Sequence, residues 1–171
     1  MINFGLTTEA FTLLKQTTEH VAAGRHGGDH GHGGYRARTL AELSEGLLLV
    51  GRVEDANALA DQLLELSRTH PGRGHQAQAF RLLGDVAIHR DPLESKLAAA
   101  HYQQALALAE EPGMRLLQAH CHRGLGTLYA QRGQREQAHT ELATAITMYR
   151  TMGMAFWLPQ TEAVLAQVEA R

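Results

Sequence analysis

Apolar residues recur three to four positions apart over most of this chain, which is the spacing of one face of an α-helix. Glycine and proline interrupt the pattern at intervals, and each interruption separates two amphipathic stretches. Strand-like alternation is almost absent, so the chain is expected to be all-α. The pattern predicts helices over residues 7–22, 35–50, 53–67, 75–89 and 93–109, two helices on either side of Gly133 within 114–150, and a last helix over 155–170.

The clearest pair of helices lies in residues 119–149. Gly126 has no side chain, so a second helix can lie against its backbone. Ala138 and Ala145 are small and seven residues apart, so they lie on one face of that helix. Leu142 follows one turn after Ala138 and is expected to fill the space around the contact. Gly133 falls where the first helix must end, because glycine accepts the left-handed conformation found there. The segment therefore predicts a closely packed helical hairpin.

Weaker copies of this hairpin precede it. Gly84 lies 42 residues before Gly126, and Ser44, which replaces the packing glycine, lies 40 residues before Gly84. A period of about 40 residues indicates stacked helical hairpins. Residues 1–171 are expected to form a single domain with a half repeat over 7–22, repeats over 35–70, 75–111 and 114–151, and a capping helix over 155–170.

The order Leu-Gly-x-x-Tyr, Gly, Ala-x-x-x-Leu-x-x-Ala in residues 125–145 resembles a tetratricopeptide (TPR) repeat. The runs R-L-L-G-D-V-A from Arg81, A-H-C-H-R-G-L-G-T-L-Y from Ala119 and M-Y-R-T-M-G-M-A-F-W-L from Met148 are similar to the C-terminal TPR arrays of large bacterial signalling proteins. Those proteins join a nucleotide cyclase or a regulator domain to an ATPase module, and their arrays resemble the sensor region of maltose-type transcription activators. The resemblance implies an α-solenoid of antiparallel helix hairpins, with about seven helices plus a C-terminal capping helix, that acts as a scaffold or sensory module.

The resemblance also implies a binding groove, because the first helices of successive repeats line the concave side of a TPR array. Its basic bias comes from Arg38, Arg81 and Arg123, which favour an acidic peptide or a chain terminus as partner. The alternative is that these arginines form a solvated surface and pair with Glu45 and Asp85 of neighbouring repeats. The asparagines and lysines with which chaperone-binding TPR proteins clamp a carboxylate are absent. The implied groove residues are Arg38, Ala41, Glu45, Leu49, Gln78, Arg81, Asp85, His89, His120, Arg123, Thr127 and Gln131.

Composition narrows the partner and the compartment. The 171 residues carry a formal net charge of −2 with histidine neutral, so bulk binding to nucleic acid or to an anionic membrane is not indicated. Cys121 is the sole cysteine, which excludes an internal disulfide and fits a reducing compartment. No apolar run has the length of a membrane helix, and Glu9 argues against a signal peptide. A cytoplasmic location is expected.

A break rich in glycine and histidine spans residues 24–34 and is expected to be non-helical. Its imidazole and carboxylate groups could gather zinc, nickel or copper in a metal-responsive module. Their spacing matches no defined zinc motif, so a flexible loop is the competing interpretation and no metal site is predicted. Elsewhere, His120, Cys121 and His122 point about 100° apart around one helix and cannot converge on one ion. The candidate ligands of the loop are His26, Asp29, His30 and His32.

No catalytic arrangement stands out in the sequence. There is no Gly-x-x-x-x-Gly-Lys-Ser/Thr phosphate loop, no nucleophile with a base nearby, and no pair of carboxylates isolated on an apolar face. The chain is expected to have no enzyme activity and no cofactor, and the leading hypothesis is a module that binds a protein or peptide. A further alternative is a self-associating fragment of a larger signalling protein, because the half repeat leaves Ala10, Phe11 and Leu14 for a second copy to cover in a homodimer.

Overall fold

The computed structural model describes residues 16, 32–69, 73–90, 94–109 and 113–170, and this part of the chain contains helices and no strand. The all-α prediction is therefore confirmed for the described residues. The predicted helix over 7–22, with its dimer face, lies outside them except for Gln16, which is helical. No helix in the described part is long and apolar enough to cross a membrane. The seven helices found there are α1 (His32–Leu49), α2 (Val53–Thr69), α3 (Arg73–Arg90), α4 (Ser95–Leu108), α5 (Arg115–Gln131), α6 (Arg135–Met152) and α7 (Trp157–Glu169).

The start of α1 differs most from its predicted position. The helix begins at His32 rather than Tyr35, so the prediction of a non-helical segment was wrong for residues 32–34. The first turn of a helix makes few of its hydrogen bonds, and glycine there is less costly than in the interior. At the other end, Pro159 lies in the first turn of α7, where its missing N–H interrupts no helical hydrogen bond.

The helices form two layers. Each helix packs against the next, from α1 on α2 to α6 on α7. The odd-numbered helices also contact one another, α1 with α3, α3 with α5 and α5 with α7, whereas α2, α4 and α6 make no such contacts among themselves in the described residues. The odd-numbered helices therefore form one continuous layer, and the even-numbered helices pack against it.

Two glycines of the odd layer let large side chains from the even helices reach their backbone. A Cβ on Gly126 would lie 2.6 Å from Leu142 Cγ, and one on Gly84 would lie 2.9 Å from the Tyr102 ring. Both distances are shorter than a van der Waals contact, so a larger residue would force the helices or the side chains to move. The packing role predicted for Gly126 is confirmed.

The first hairpin fills the same space with different side-chain sizes. Ala60 stands at the position that Tyr102 and Leu142 hold in the later hairpins, and it is fully buried. On the facing helix, buried Ser44 donates a hydrogen bond from Oγ to the Ala56 carbonyl at 3.0 Å. A small residue in the even helix is thus matched by serine in the odd helix, and a large one is matched by glycine.

Tyr102 joins three helices. Its ring, on α4, lies against Gly84 of α3 and also against Gly124 of α5, where an added Cβ would be 2.3 Å from Tyr102 Cζ. The repeat spacing points to Gly126 as the packing glycine of α5, so sequence analysis does not identify Gly124. The contact fixes α5 relative to α3, and these two helices carry most of the candidate site.

A methionine and aromatic cluster lies between α6 and α7, and Phe156 is not part of it. Tyr149 is buried in this cluster, and Trp157 packs against it from α7. Phe156 is 55% exposed instead and meets Trp157 edge-on, with ring centroids 4.8 Å apart. It precedes the first turn of α7, so it lies outside the apolar stripe of that helix. The other members of the cluster on α6, α7 and the turn between them are Met148, Met152, Met154 and Leu158.

Candidate functional site

Four of the implied groove residues line one cavity between α1 and α3. Arg38, Ala41 and Glu45 come from α1, Gln78 comes from α3, and the cavity volume is about 290 Å³. Buried Ala41, together with Ala37 and Leu63, gives it an apolar floor, while Glu45 and Gln78 are half-buried at its rim. A recess of this kind suits an aliphatic side chain. We call it the alanine pocket (Ala37, Arg38, Ala41, Glu45, Leu63 and Gln78).

Next to this pocket, Arg81 joins α1 to α3 through two ion pairs. Its side chain is only 6% exposed. One guanidinium nitrogen donates to Asp85 Oδ2 at 2.7 Å, and another donates to Glu45. Burial disfavours the charged guanidinium, but the Asp85 and Glu45 carboxylates outweigh burial, and the pKa of Arg81 is raised.

Tyr102 completes this group, which we call the Arg81 network (Glu45, Arg81, Asp85 and Tyr102). The Tyr102 hydroxyl donates to Asp85 Oδ1 at 2.5 Å. Burial, and then the neighbouring Asp85 charge, raise the pKa of Tyr102 well above its usual value, so the hydroxyl keeps its proton. Both Asp85 oxygens therefore have partners within the protein.

Arg81 fits neither of the two interpretations made from the sequence, which were a groove residue that binds an acidic partner and a solvated residue of the surface. It pairs with Glu45 and Asp85, as the alternative proposed, but it is buried rather than solvated. A buried guanidinium held by two carboxylates is not free to receive an acidic group from a partner. Arg81 therefore has the geometry of a structural residue beneath this surface.

Arg123 has the equivalent position in α5, three residues before the packing glycine, but its neighbours differ. Its guanidinium carbon lies 4.7 Å from the centroid of the Trp157 ring. Within the described part of the chain, no carboxylate lies at ion-pair distance from it. Thr127, one turn later, donates a hydrogen bond to the Arg123 carbonyl at 2.9 Å and offers no charge. Arg123 therefore carries its full positive charge against an aromatic ring.

His120 lies beside Arg123 and Trp157 and is held neutral. Its Nδ1 is 2.7 Å from the hydroxyl of buried Tyr149, and its ring meets Trp157 edge-on with centroids 5.1 Å apart. Burial, followed by the positive charges of Arg81 and Arg123, lowers the pKa of His120 to about 3. His120 therefore helps to position Trp157 without adding charge. We call His120, Arg123, Phe156 and Trp157 the Arg123 platform.

The other implied groove residues use their side chains locally or face solvent. Arg38 is exposed and pairs with Glu42, one turn away, at 2.7 Å. Exposed His89 has Nδ1 2.7 Å from the Asp85 carbonyl of its own helix. Gln131 is exposed at the last residue of α5. These residues lie at the edge of the surface formed by α1, α3 and α5. The Arg81 network lies at the centre of that surface, and the Arg123 platform lies at one end of it.

Of the candidate metal ligands in the glycine-rich segment, only His32 lies in the described part of the chain, where it begins α1. His26, Asp29 and His30 lie outside it. In the part of the chain that the structure describes, no group of three His, Cys, Asp or Glu residues could hold a metal ion. The metal-responsive alternative stays a prediction.

The His-Cys-His run diverges around α5, as predicted. His120 bonds to Tyr149, whereas His122 Nδ1 lies 2.6 Å from Glu141 Oε2 of α6. Cys121 is buried between them, and burial raises the pKa of its thiol to about 12. The thiol therefore stays protonated and unreactive, and Cys121 serves as a packing residue of the core.

The aromatic half of the Arg123 platform could not be predicted from the sequence. Trp157 follows Arg123 by 34 residues, and the methionine-rich run around it indicates a core cluster rather than a surface. The position of Trp157 in the stack of helices could have indicated this contact. Because α7 stacks on α5 as α5 stacks on α3, the first turn of α7 lies beside the groove positions of α5.

Neither a protein-family model nor a curated protein matches this chain. The interpretation of this surface therefore depends on its own geometry. Along the odd-numbered helices it offers an apolar recess, a rigid polar centre and a positively charged aromatic end. The recess and the charged aromatic end are contacts that can bind side chains of a peptide, and the polar centre between them is already paired within the protein.

Proposed function

We propose that this chain is a protein–protein interaction module that binds a segment of a partner protein along α1, α3 and α5. In this proposal it is a TPR-like α-solenoid, without enzyme activity, that serves as a scaffold or sensory part of a cytoplasmic bacterial signalling system. Its partner is a protein or peptide rather than nucleic acid or a membrane, which fits the net charge of −2.

The helix contacts support the solenoid arrangement. The odd-numbered helices touch one another, whereas in the described residues the even-numbered helices do not. In a stack of hairpins, the layer whose helices are closer together lies on the inside of the curve. The odd-numbered helices would then line a concave surface, which is where solenoid proteins commonly bind their partners.

The alanine pocket is the observation that carries the proposal. Arg38, Ala41, Glu45 and Gln78, which the repeat register assigns to a groove, line one cavity of about 290 Å³. Packed helix axes lie about 8–10 Å apart, so α1 to α5 spans roughly 20 Å. An extended chain advances about 3.3 Å per residue, so about six residues would reach from the pocket to the Arg123 platform.

A peptide-display selection on the immobilised full-length chain tests this proposal. Gln78→Phe would fill the alanine pocket, and Gln103→Phe, at an exposed position of α4, introduces the same side chain on the other layer. We expect the wild type and Gln103→Phe to enrich the same peptides, and Gln78→Phe to bind them at least about tenfold more weakly by calorimetry. The proposal fails if no peptide is enriched above a blank surface, or if Gln78→Phe binds the selected peptides as tightly as the wild type.

A further inference from the structure

The repeat register explains why Arg123 differs from Arg81. Arg81 takes its carboxylates from the positions just after the packing residues of α1 and α3, which are Glu45 and Asp85. For Arg123 the equivalent positions are Asp85 and Thr127. Asp85 is already bonded to Arg81 and to a tyrosine hydroxyl, and Thr127 is neutral. The positive charge of Arg123 is therefore left for a group from outside the described residues.

Trp157 holds this charge in a usable orientation. The ring lies 4.7 Å from the guanidinium carbon, and the N–H donors of a guanidinium lie in its own plane. Contact with an aromatic ring restrains the side chain but does not use those donors. An arginine restrained in this way loses less conformational entropy when it binds a carboxylate through two hydrogen bonds.

The N-terminus of α7 adds to the preference for an anion. The helix begins at Trp157 with no acidic residue in its first turn, and the apolar side chain of Phe156 cannot cap it. The dipole of α7 leaves partial positive charge at this end, which no acidic side chain of the first turn offsets. Trp157 begins this helix and also contacts Arg123, so the helix dipole adds to the positive potential around the arginine.

Two exposed apolar side chains flank the Arg123–Trp157 pair. Phe156 is 55% exposed, and Leu116 is 38% exposed one turn before His120 on the same side of α5. An acidic group that binds here would bring its neighbouring residue against these side chains. The positive charge of Arg123 and the exposed apolar side chains beside it would together suit a ligand in which a carboxylate lies next to an apolar residue.

The backbone argues for a side-chain carboxylate rather than a chain terminus. A nest of backbone N–H groups is one way to hold a terminal carboxylate, and the start of α7 does not supply one. At the start of α7, the Leu158 N–H already bonds to the Met154 carbonyl at 3.2 Å, and Pro159 has no N–H. A single arginine supplies the two parallel donors that one aspartate or glutamate side chain accepts.

We infer that the Arg123 platform binds an aspartate or glutamate side chain of the partner segment, with an apolar residue beside it packed on Phe156 and Leu116. This inference rests on the proposed function, because it names the kind of segment that the surface would select.

The test compares three full-length proteins in the same display selection. Arg123→Gln removes the charge, and Arg132→Gln removes an equal charge from an exposed position just after α5. We expect the wild type and Arg132→Gln to enrich peptides with an acidic residue next to an apolar one. We expect Arg123→Gln to bind those peptides at least about tenfold more weakly by calorimetry. Its melting temperature should fall by no more than about 4 °C, because only the contact with Trp157 is lost. A selected peptide with an amidated C-terminus should bind as tightly as the free acid.

Each other outcome overturns a distinct statement. Enriched peptides without an acidic position, or with equal affinity for Arg123→Gln, would overturn the inference and leave the proposed function standing. Loss of binding on C-terminal amidation would show that the platform binds a chain terminus rather than a side chain, and it would also overturn the inference. Failure to enrich any peptide on the wild type would overturn the proposed function, and the inference with it.

Discussion

Arg81 of α3 and Arg123 of α5 occupy the same repeat position, but the protein uses the two arginines differently. Around Arg81, Glu45 and Asp85 bring two carboxylates to one buried guanidinium. Around Arg123 there is a tryptophan ring and, among the described residues, no carboxylate partner. One region holds adjacent helices together, and the other presents a charge at the surface.

The repeat register fixes where a side chain lies, whereas the chemistry of that side chain depends on a few neighbouring residues. The residue just after the packing position is acidic in α1 and α3, as Glu45 and Asp85, but is Thr127 in α5. This change, with Trp157 supplied by the last helix, separates a structural arginine from a candidate binding residue.

The largest loss of stability at neutral pH is expected from the replacement of Arg81. Replacement of Arg81 by methionine leaves the partly buried Asp85 and Glu45 carboxylates without their cation. We expect the free energy of unfolding to fall by about 3 kcal/mol, the low end for a broken buried pair because water reaches both carboxylates, measured by chemical denaturation. The matched control Arg132→Met, at an exposed position, should change it by less than about 0.5 kcal/mol. A loss below about 1 kcal/mol for Arg81→Met would show that the network is not structural.

A comparable effect, spread over several pH units in acid, is a pH dependence from His120 of the Arg123 platform. Its folded-state pKa, about 3, is below the value of about 6.5 expected for unfolded histidine. As the pH falls below about 6.5 the unfolded state gains a proton that the folded state does not, so stability is lost by up to roughly 1.4 kcal/mol per pH unit until about pH 3. His120→Gln should be less sensitive to pH in this window and differ by a constant amount above pH 7.5. Parallel curves for the two proteins would contradict the neutral state of His120.

A smaller effect is expected at Tyr102. Tyr102→Phe keeps the ring between Gly84 and Gly124 but removes the hydrogen bond to Asp85. We expect a loss of about 1–2 kcal/mol in the free energy of unfolding, because the acceptor is charged and partly buried. Gln103→Leu, on the exposed side of the same helix, is the control and should be nearly neutral. A neutral Tyr102→Phe would mean that Arg81 alone satisfies Asp85.

The smallest effect on stability is expected at Arg123. Arg123→Met removes a contact with Trp157 but leaves no buried carboxylate unpaired. We expect a loss of at most about 1 kcal/mol, the value of a partly exposed cation–π contact. A loss as large as that of Arg81→Met would remove the distinction between the two arginines.

The fold is largely readable from the sequence where local chemistry decides it. Gly133 and Gly153 end α5 and α6 with φ of 71° and 68°, a left-handed conformation that glycine adopts without strain. Gly126 marks the close approach of Leu142, as its place in the pattern indicates. Gly124 could not be identified in this way, because its constraint comes from the Tyr102 ring of another hairpin.

The candidate site is less predictable, because burial and pairing arise between helices that are distant in sequence. The repeat register brings Arg81 near Glu45, but it does not show that Arg81 would be buried. Trp157 stands in a methionine-rich run that is typical of a core cluster. Its contact with Arg123 depends on how α7 stacks on α5. Periodicity identifies the shared face, whereas the pairs on it depend on tertiary packing.

Trp157 offers a simple test of which arginine binds a partner, because it is the only tryptophan of the chain. A selected peptide with an acidic residue beside an apolar one would be titrated into the wild-type protein while tryptophan emission is recorded. We expect a saturable change with the dissociation constant found by calorimetry, and a dissociation constant at least about tenfold higher for Arg123→Gln. Calorimetric binding with unchanged Trp157 emission and unchanged affinity for Arg123→Gln would place the binding site elsewhere on the protein.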